Sequence, residues 1–219
     1  MLKFNCKYIN AKKDPLFFFK CLKLTSKGNV NFSYDKKSGN YLVEKVRFQP
    51  FIFKPELIDG ISENFYEKIL KIILSAHDKA VNLETENTEE LTDCSLQHQG
   101  ELESLIHSVM QGIQYQNYDI LDFVVQIVYK ITTKQIWKNG NKRTAIVTAA
   151  KLFRLFGLFL FFSNKDTHYL EYWRYFIKTI AKRYEDMRQG KSNEKEEDII
   201  TDIKKQFIKS LHLNLQCIN

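Results

Sequence analysis

The residues best suited to chemistry lie in one short stretch, Asn139-Gly140-Asn141-Lys142-Arg143. Gly140 and Asn141 tolerate a positive φ angle, and a long apolar segment follows, so the stretch predicts a turn that opens a buried helix. The first backbone N–H groups of a helix have no partner inside it, and two cationic side chains stand beside them. We therefore predict an anion site, most naturally for phosphate. The open alternative is a helix start at which Lys142 and Arg143 are only solvated or salt-bridged.

Together with Trp137, three residues before the glycine, this stretch resembles the motif of the Fic/Doc family, His-x-Phe-x-(Asp/Glu)-(Gly/Ala)-Asn-(Gly/Lys)-Arg. Lys142, where many Fic proteins have a second glycine, resembles the Doc branch. The likeness covers residues 65–214 approximately and leaves out residues 1–60. It implies a mainly α fold, a Fic/Doc-like bundle of about six helices.

The resemblance also implies a function. Most Fic enzymes transfer AMP to a hydroxyl group of a target protein (AMPylation), whereas Doc is a toxin that transfers phosphate to elongation factor Tu and is neutralised by an antitoxin. By this likeness the chain binds ATP or another nucleotide, with Gly140, Asn141, Lys142 and Arg143 around the phosphates and Trp137 anchoring the loop. The partners implied are an elongation-factor-like target protein or an antitoxin.

Two positions depart from the family motif. Gln135 stands where the family has the His that deprotonates the target hydroxyl, and glutamine cannot serve as a general base. Asn139 stands where the family has the acidic ligand of Mg²⁺, and an amide is a poorer ligand than a carboxylate. We therefore predict a pseudoenzyme with no intact catalytic or metal-binding residue, which binds a nucleotide or another phosphate group and acts by binding.

The alternative is an active, toxin-like transferase of AMP or phosphate that draws its base from elsewhere in the chain. His77 and His98 are the candidates for that base, although each is more simply explained as a structural or surface residue.

The elements that position this stretch are predicted to be helices. Two segments, residues 120–131 and 145–156, are apolar nearly all round and predict two central, buried helices. Four amphipathic helices are predicted to cover them, at residues 62–80, 101–112, 169–184 and 199–211. Residues 61–219 are thus the predicted helical domain.

Local signals set the boundaries inside this domain. Asn117 and Asn193 are predicted to be the N-caps of the first central helix and of the last helix. The polar residues 82–99 predict a long loop. Its counterpart in the Fic/Doc family is the flap, which holds a target peptide by strand addition.

Residues 1–60 predict a separate, β-rich module. Residues 17–19, 30–34 and 41–48 are rich in β-branched and aromatic side chains and predict strands, the last two joined as a hairpin. Pro50 and Pro55 bracket residues 51–53, which are predicted to be an edge strand or an extended linker.

The net charge of +7 also belongs to this module. Residues 1–60 hold twelve Lys and Arg against five Asp and Glu, whereas the remaining residues hold 21 of each. Such a module is either a solvated lysine-rich surface or an adaptor that docks nucleic acid or an acidic protein. The adaptor is a third hypothesis for the function.

Other features indicate a cytoplasmic protein. The four cysteines are scattered, without a CxxC pair, so we expect reduced thiols and neither a zinc site nor a disulfide framework. The N-terminus lacks the pattern of a secretory signal. The longest apolar run, residues 155–162, is too short to cross a bilayer, so no membrane association is expected.

Overall fold

The computed structural model describes residues 2–10, 13–14, 17, 30–35, 37, 40–45, 48–85, 93–97, 99–160 and 166–213. Helices hold most of these residues, so the fold is mainly α, as predicted. The six helices of this part of the chain are α1 (Glu63–Thr85), α2 (Gln99–Tyr115), α3 (Ile120–Thr133), α4 (Asn141–Leu155), α5 (Asp166–Arg188) and α6 (Glu196–Ser210). Its strands are β1 (Leu2–Tyr8), β2 (Val30–Asp35), β3 (Asn40–Lys45), β4 (Phe48–Leu57), β5 (Leu158–Leu160) and β6 (Leu211–Leu213).

The first four strands form one sheet in the order β1-β4-β3-β2. Strands β2 and β3 pair antiparallel, with Tyr34 opposite Tyr41, which confirms the predicted hairpin. Strand β1 pairs with β4 in parallel, with Phe4 opposite Phe53. A parallel pair cannot be closed by a tight turn, so β1 has no hairpin signal in the sequence.

The prediction of an edge strand or linker at residues 51–53 was wrong, because β4 is an inner strand of the sheet. Each of the two prolines in β4 lies at a position that has no paired residue in one of the two neighbouring strands. Pro50 precedes the first pair with β1 and faces the register shift of β3 between Val43 and Lys45. Pro55 pairs with β1 but lies beyond the last pair with β3. A proline is tolerated at such places because no ladder N–H is missed there.

The predicted strand at residues 17–19 was also wrong at Phe17. The backbone N–H of Phe17 donates to the carbonyl of Lys13 at 3.1 Å, and that of Asp14 donates to Asn10 at 3.0 Å, as in a helical turn. Phe17 is buried in the core, so its packing against the helices decides its conformation. Phe18 and Phe19 lie outside the described residues.

The two central helices were predicted correctly. Helix α3 buries ten of its fourteen residues, and α4 buries one face that includes Ala145, Leu152 and Phe153. Helix α4 ends at Leu155 with Phe156 as its C-cap, and Gly157 follows with φ 81°, a left-handed conformation that glycine adopts without strain. The rings of Phe153 and Phe207 pack edge to face at 5.3 Å, which joins α4 to α6.

Both predicted N-caps were wrong by two residues. Asp119, not Asn117, caps α3, because its carboxylate accepts from the backbone N–H of Asp122 at 2.7 Å. Asn117 instead takes a φ of 55° in the preceding turn. Lys195, not Asn193, precedes α6, and the carboxylate of Asp198 accepts from its backbone N–H at 3.1 Å.

The outer helices differ from prediction mainly in length. Helix α1 continues to Thr85 and α2 begins at Gln99, so the predicted loop at residues 82–99 is shorter at both ends. Trp173, Ile177 and Ile180 are the buried face of α5, as predicted, whereas the side chain of Tyr169 lies outside the described part. Leu211 leaves the predicted last helix and begins β6, which pairs with β5.

None of the described helices is both long and apolar enough to cross a membrane. Cys94 is the cysteine whose side chain lies in the described part of the chain. Cys21, Cys217 and the side chain of Cys6 lie outside the described part of the chain.

Candidate functional site

The loop before α4 is held by side chains of the motif itself. Trp137 is 1% exposed and lies in the core. The amide of Asn141 spans the loop, because its Oδ1 accepts from the backbone N–H of Trp137 at 3.1 Å and its Nδ2 donates to the Trp137 carbonyl at 2.6 Å. Gly140 turns the chain with φ 84°. These contacts within the protein fix the shape of the loop.

The N-terminus of α4 carries no side-chain cap and no acidic residue in its first turn. Thr144 is the first residue whose backbone N–H donates back along the helix, to the carbonyl of Gly140 at 2.9 Å. The N–H groups of Asn141, Lys142 and Arg143 precede it and lie at the positive end of the helix dipole. This end of the helix is suited to an anion.

His77 of α1 supports the loop from below. Its ring stacks on Trp137, with the centroids 4.4 Å apart and an angle of 11° between the planes. Its Nε2 donates to the carbonyl of Cys94 at 2.8 Å, so in the neutral ring its Nδ1 accepts a hydrogen bond from the hydroxyl of Thr144, 3.0 Å away.

His77 is therefore a structural residue in this conformation. It is only 8% exposed, both ring nitrogens are engaged, and burial lowers its pKa. A general base must reach the proton that it removes. The ring of His77 does not line the groove described below. His98, the other candidate, lies outside the described residues.

Residues 93–97 run along the loop as a strap. Leu96 and Trp137 form an antiparallel bridge, in which Gln97 N–H donates to the Ile136 carbonyl at 2.9 Å and Lys138 N–H donates to the Ser95 carbonyl at 3.1 Å. The Fic/Doc resemblance implies a flap here, which would hold a target peptide. In the structure, this segment pairs with the motif loop.

Asp93 at the start of the strap engages two motif positions. Its carboxylate lies 2.6 Å from Nζ of Lys138, and this hydrogen bond, the largest cause, holds the pKa of Asp93 well below its usual value. The side-chain nitrogen of Asn139 donates to the Asp93 carbonyl at 3.0 Å. Asn139, at the family's metal position, thus uses its amide within the protein.

A groove of about 1550 Å³ opens beside the start of α4. Among the residues that the structure describes, its lining includes seven basic residues and two acidic ones, Glu101 and Glu185. The basic residues are Lys134, Lys138, Lys142, Arg143, Arg174, Lys178 and Arg188. The sequence places no charge excess in residues 61–219, so the positive potential of the groove arises because the fold sorts the charges.

The groove brings most of the predicted site residues together. The residues that line it are Gln135, Asn139, Gly140, Asn141, Lys142 and Arg143. Trp137 does not line the groove and is buried in the core. The sequence analysis missed the wall provided by α5. Positions 174, 178, 181, 185 and 188 all line the groove and recur at helical spacing. This spacing was readable, but a charged helix face usually indicates only contact with solvent.

The donor set of the groove does not fit a Mg²⁺ ion. The ion prefers carboxylate oxygens in octahedral geometry. The motif offers an amide at Asn139, already bonded to the strap, and no three His, Cys, Asp or Glu side chains of the described residues converge on one point.

Comparison with protein-family models, with curated proteins and with solved structures finds no match to this chain. A function must therefore be inferred from the groove itself.

Proposed function

We propose that the chain binds the phosphate groups of a nucleotide, such as ATP, in the groove beside α4, and that it acts by binding. The observation that carries this proposal is the joining of an uncapped helix N-terminus with seven basic lining residues. Each feature alone is common, whereas together they supply both directed N–H donors and a positive potential for one anion. The fixed loop means that little ordering entropy opposes binding.

The phosphate is expected at the N–H groups of Asn141, Lys142 and Arg143. The side-chain amide of Asn141 already bonds to the backbone of Trp137, so we assign Asn141 a role through its backbone. Lys142 is exposed at the mouth of the groove and can turn toward a ligand. Lys138 is paired with Asp93 and is a weaker contributor.

Binding without turnover is supported by the chemistry of the groove. Gln135 is exposed and lines it at the family's base position, but its amide does not titrate. His77 is held by Thr144 and Cys94 and is not placed to replace it. The poor fit for Mg²⁺ removes the usual support for a reacting phosphate, so the proposal involves no metal-dependent step.

Within this proposal the Fic/Doc resemblance supplies a possible origin for the site. A Fic/Doc-like protein that keeps its phosphate-binding half and has lost its catalytic groups would hold a nucleotide as a signal or as a structural ligand. A target protein or antitoxin is then a partner that responds to the bound state.

Titration calorimetry with ATP, with and without Mg²⁺, tests the proposal. We expect binding that does not require Mg²⁺, and an affinity reduced about 3- to 10-fold in Lys142→Ala, because one charge-assisted contact is lost. Lys182→Ala is the matched control, since Lys182 is also exposed on a helix but does not line the groove.

Two results would contradict the proposal. Absence of heat at millimolar ATP would show that the chain does not bind it. Equal affinities of wild type and Lys142→Ala for ATP would show that the nucleotide does not bind at the start of α4. Transfer of label from ATP to a protein by wild type, lost in Arg143→Ala, would show that the chain is an active transferase.

A further inference from the structure

The groove is larger than one nucleotide requires. Ligand sites for small molecules usually have volumes of about 300–1,000 Å³, whereas this groove has about 1550 Å³. Its cations are not confined to the motif, because Arg174, Lys178 and Arg188 come from α5. A mononucleotide at the start of α4 would leave this second group of charges without a counterpart in the ligand.

The three α5 cations form a row along one face of the helix. Arg174 and Lys178 are one turn apart, Arg188 follows ten residues later on the same side, and Glu185 carries a negative charge just before it. At 1.5 Å per residue the row extends over about 21 Å. A nucleic-acid strand advances about 3.4 Å per nucleotide in a duplex, so a row of this length matches several consecutive phosphates.

An aromatic platform lies within the same wall. The guanidinium carbon of Arg188 lies 5.9 Å from the ring centroid of Tyr184, and both residues line the groove. Tyr184 is half-buried, and its ring meets the buried ring of Tyr129 edge to face at 5.9 Å. The core thus holds the ring of Tyr184 in place beneath Arg188, and such planar groups stack with nucleobases.

We infer that the groove binds a single-stranded oligonucleotide, with phosphates along the α5 row and at the start of α4 and with a base on the Tyr184–Arg188 pair. This inference rests on the proposed function and extends its ligand from one nucleotide to a short strand. An acidic peptide would meet the same charges but would gain nothing from the stacking pair. The site is distinct from the basic residues 1–60.

Fluorescence anisotropy with a labelled oligouridine of about 12 nucleotides tests this inference, with ATP measured in parallel by calorimetry. We expect wild type to bind the oligonucleotide at least tenfold more tightly than ATP. Raising the salt from about 50 to about 200 mM should weaken oligonucleotide binding at least tenfold, because counterions are released from the strand.

Two variants and a control locate the strand. Arg174→Ala combined with Lys178→Ala should weaken oligonucleotide binding about tenfold and change ATP binding less than twofold. Lys182→Ala combined with Lys191→Ala removes two exposed charges that do not line the groove, and should change neither. Tyr184→Leu, checked for folding by thermal unfolding, should weaken oligonucleotide binding about 3- to 10-fold and leave binding of a heparin fragment unchanged.

The outcomes separate the two proposals. If ATP binds and the oligonucleotide binds no more tightly, the inference falls and the proposed function stands. If neither ligand binds, both fall. If the α5 double variant binds the oligonucleotide as tightly as wild type, the strand lies elsewhere. If polyglutamate competes as well as the unlabelled oligonucleotide, the partner is an acidic protein instead. Either of these results overturns the inference.

Discussion

The two central helices begin in opposite ways. Helix α3 starts among carboxylates: Asp119 caps it, Asp122 accepts from the Asp119 N–H at 3.3 Å, and Asp14 accepts from the Ile120 N–H at 2.8 Å. Asp122 also forms an ion pair with Lys204 of α6. Carboxylates of the protein itself thus interact with the positive end of this helix.

The first turn of helix α4 contains no acidic residue. Gly140 precedes it, no side chain caps it, and Lys142 and Arg143 occupy its first turn. Cations at this end are unfavourable for an isolated helix, because they repel the positive end of the dipole. The start of α3 is thus stabilised by the protein's own carboxylates, whereas under the proposed function the start of α4 gives up this stability and binds an external anion.

The largest expected effect comes from Asp14, which joins the N-terminal module to α3. Its carboxylate is fully buried and accepts from Ile9, Asn10 and Ile120, at 2.8, 2.7 and 2.8 Å. Asp14→Ala leaves these buried N–H groups without their acceptor, so we expect a loss of about 2–4 kcal/mol in the free energy of unfolding. Urea denaturation measures it.

Asp78→Ala is the control for this prediction, because Asp78 is exposed on α1, and its effect should stay within about 0.5 kcal/mol. Equal stabilities of the two variants would mean that the N-terminal module does not stabilise α3 through Asp14.

The same carboxyl group should make stability depend on pH. Burial, helped by the nearby charge of Asp119, raises the pKa of Asp14 to about 6, although the three N–H donors lower it. Between about pH 4 and 6 the folded chain then holds a proton that the unfolded chain has released. The contribution of Asp14 to stability therefore falls as the pH rises through this window, by about 1–3 kcal/mol in total.

Urea midpoints measured at intervals from pH 4 to 7 for wild type and Asp14→Asn test this sign. In Asp14→Asn the stability should fall less between pH 4 and 6 than in wild type, because an amide does not titrate. Parallel profiles for the two proteins would show that Asp14 has an ordinary pKa.

The contrast between the two helix starts also shows what the sequence can predict. The apolar pattern of α3 is local, so the sequence alone indicated a central, buried helix. The choice of cap was not local, because Asn117 and Asp119 both suit an N-cap. Lys13 donates to the Asn117 carbonyl at 2.8 Å and Asp14 occupies the Ile120 N–H, and these contacts join segments about a hundred residues apart.

In the candidate site, too, some features are set by the local sequence and others by long-range contacts. Residues 135–143 were predicted from their types and order, since a turn before a helix is encoded locally. The stacking of His77 on Trp137 and the α5 wall depend on how α1 and α5 pack around the loop. No local pattern in the sequence distinguishes Lys178, which lines the groove, from Lys182 on the same helix, which does not.

A smaller effect is expected from the cap of α3. Asp119→Ala removes the acceptor of the Asp122 N–H, and loss of an N-cap costs about 1 kcal/mol. Asn139→Ala is the comparison before α4, where the side chain bonds to the strap and does not cap the helix. We expect urea denaturation to show the larger loss for Asp119→Ala, and the reverse order would remove the contrast between the two helix starts.

The smallest stability change is the most direct test of what the start of α4 is for. Lys142→Glu gives this helix the acidic first turn that α3 has, and an acidic residue there stabilises a helix by about 0.3–1 kcal/mol. We therefore expect a slightly higher midpoint in urea together with an ATP affinity lowered more than tenfold, because a fixed carboxylate now competes for the same N–H groups. A variant that gains stability and still binds ATP like wild type would show that the open helix end is not where the phosphate lies. If the variant is less stable than wild type, the basic residues around Lys142 do not destabilise the start of α4 by repelling the helix dipole. The absence of a carboxylate in this first turn would then have no cost in stability.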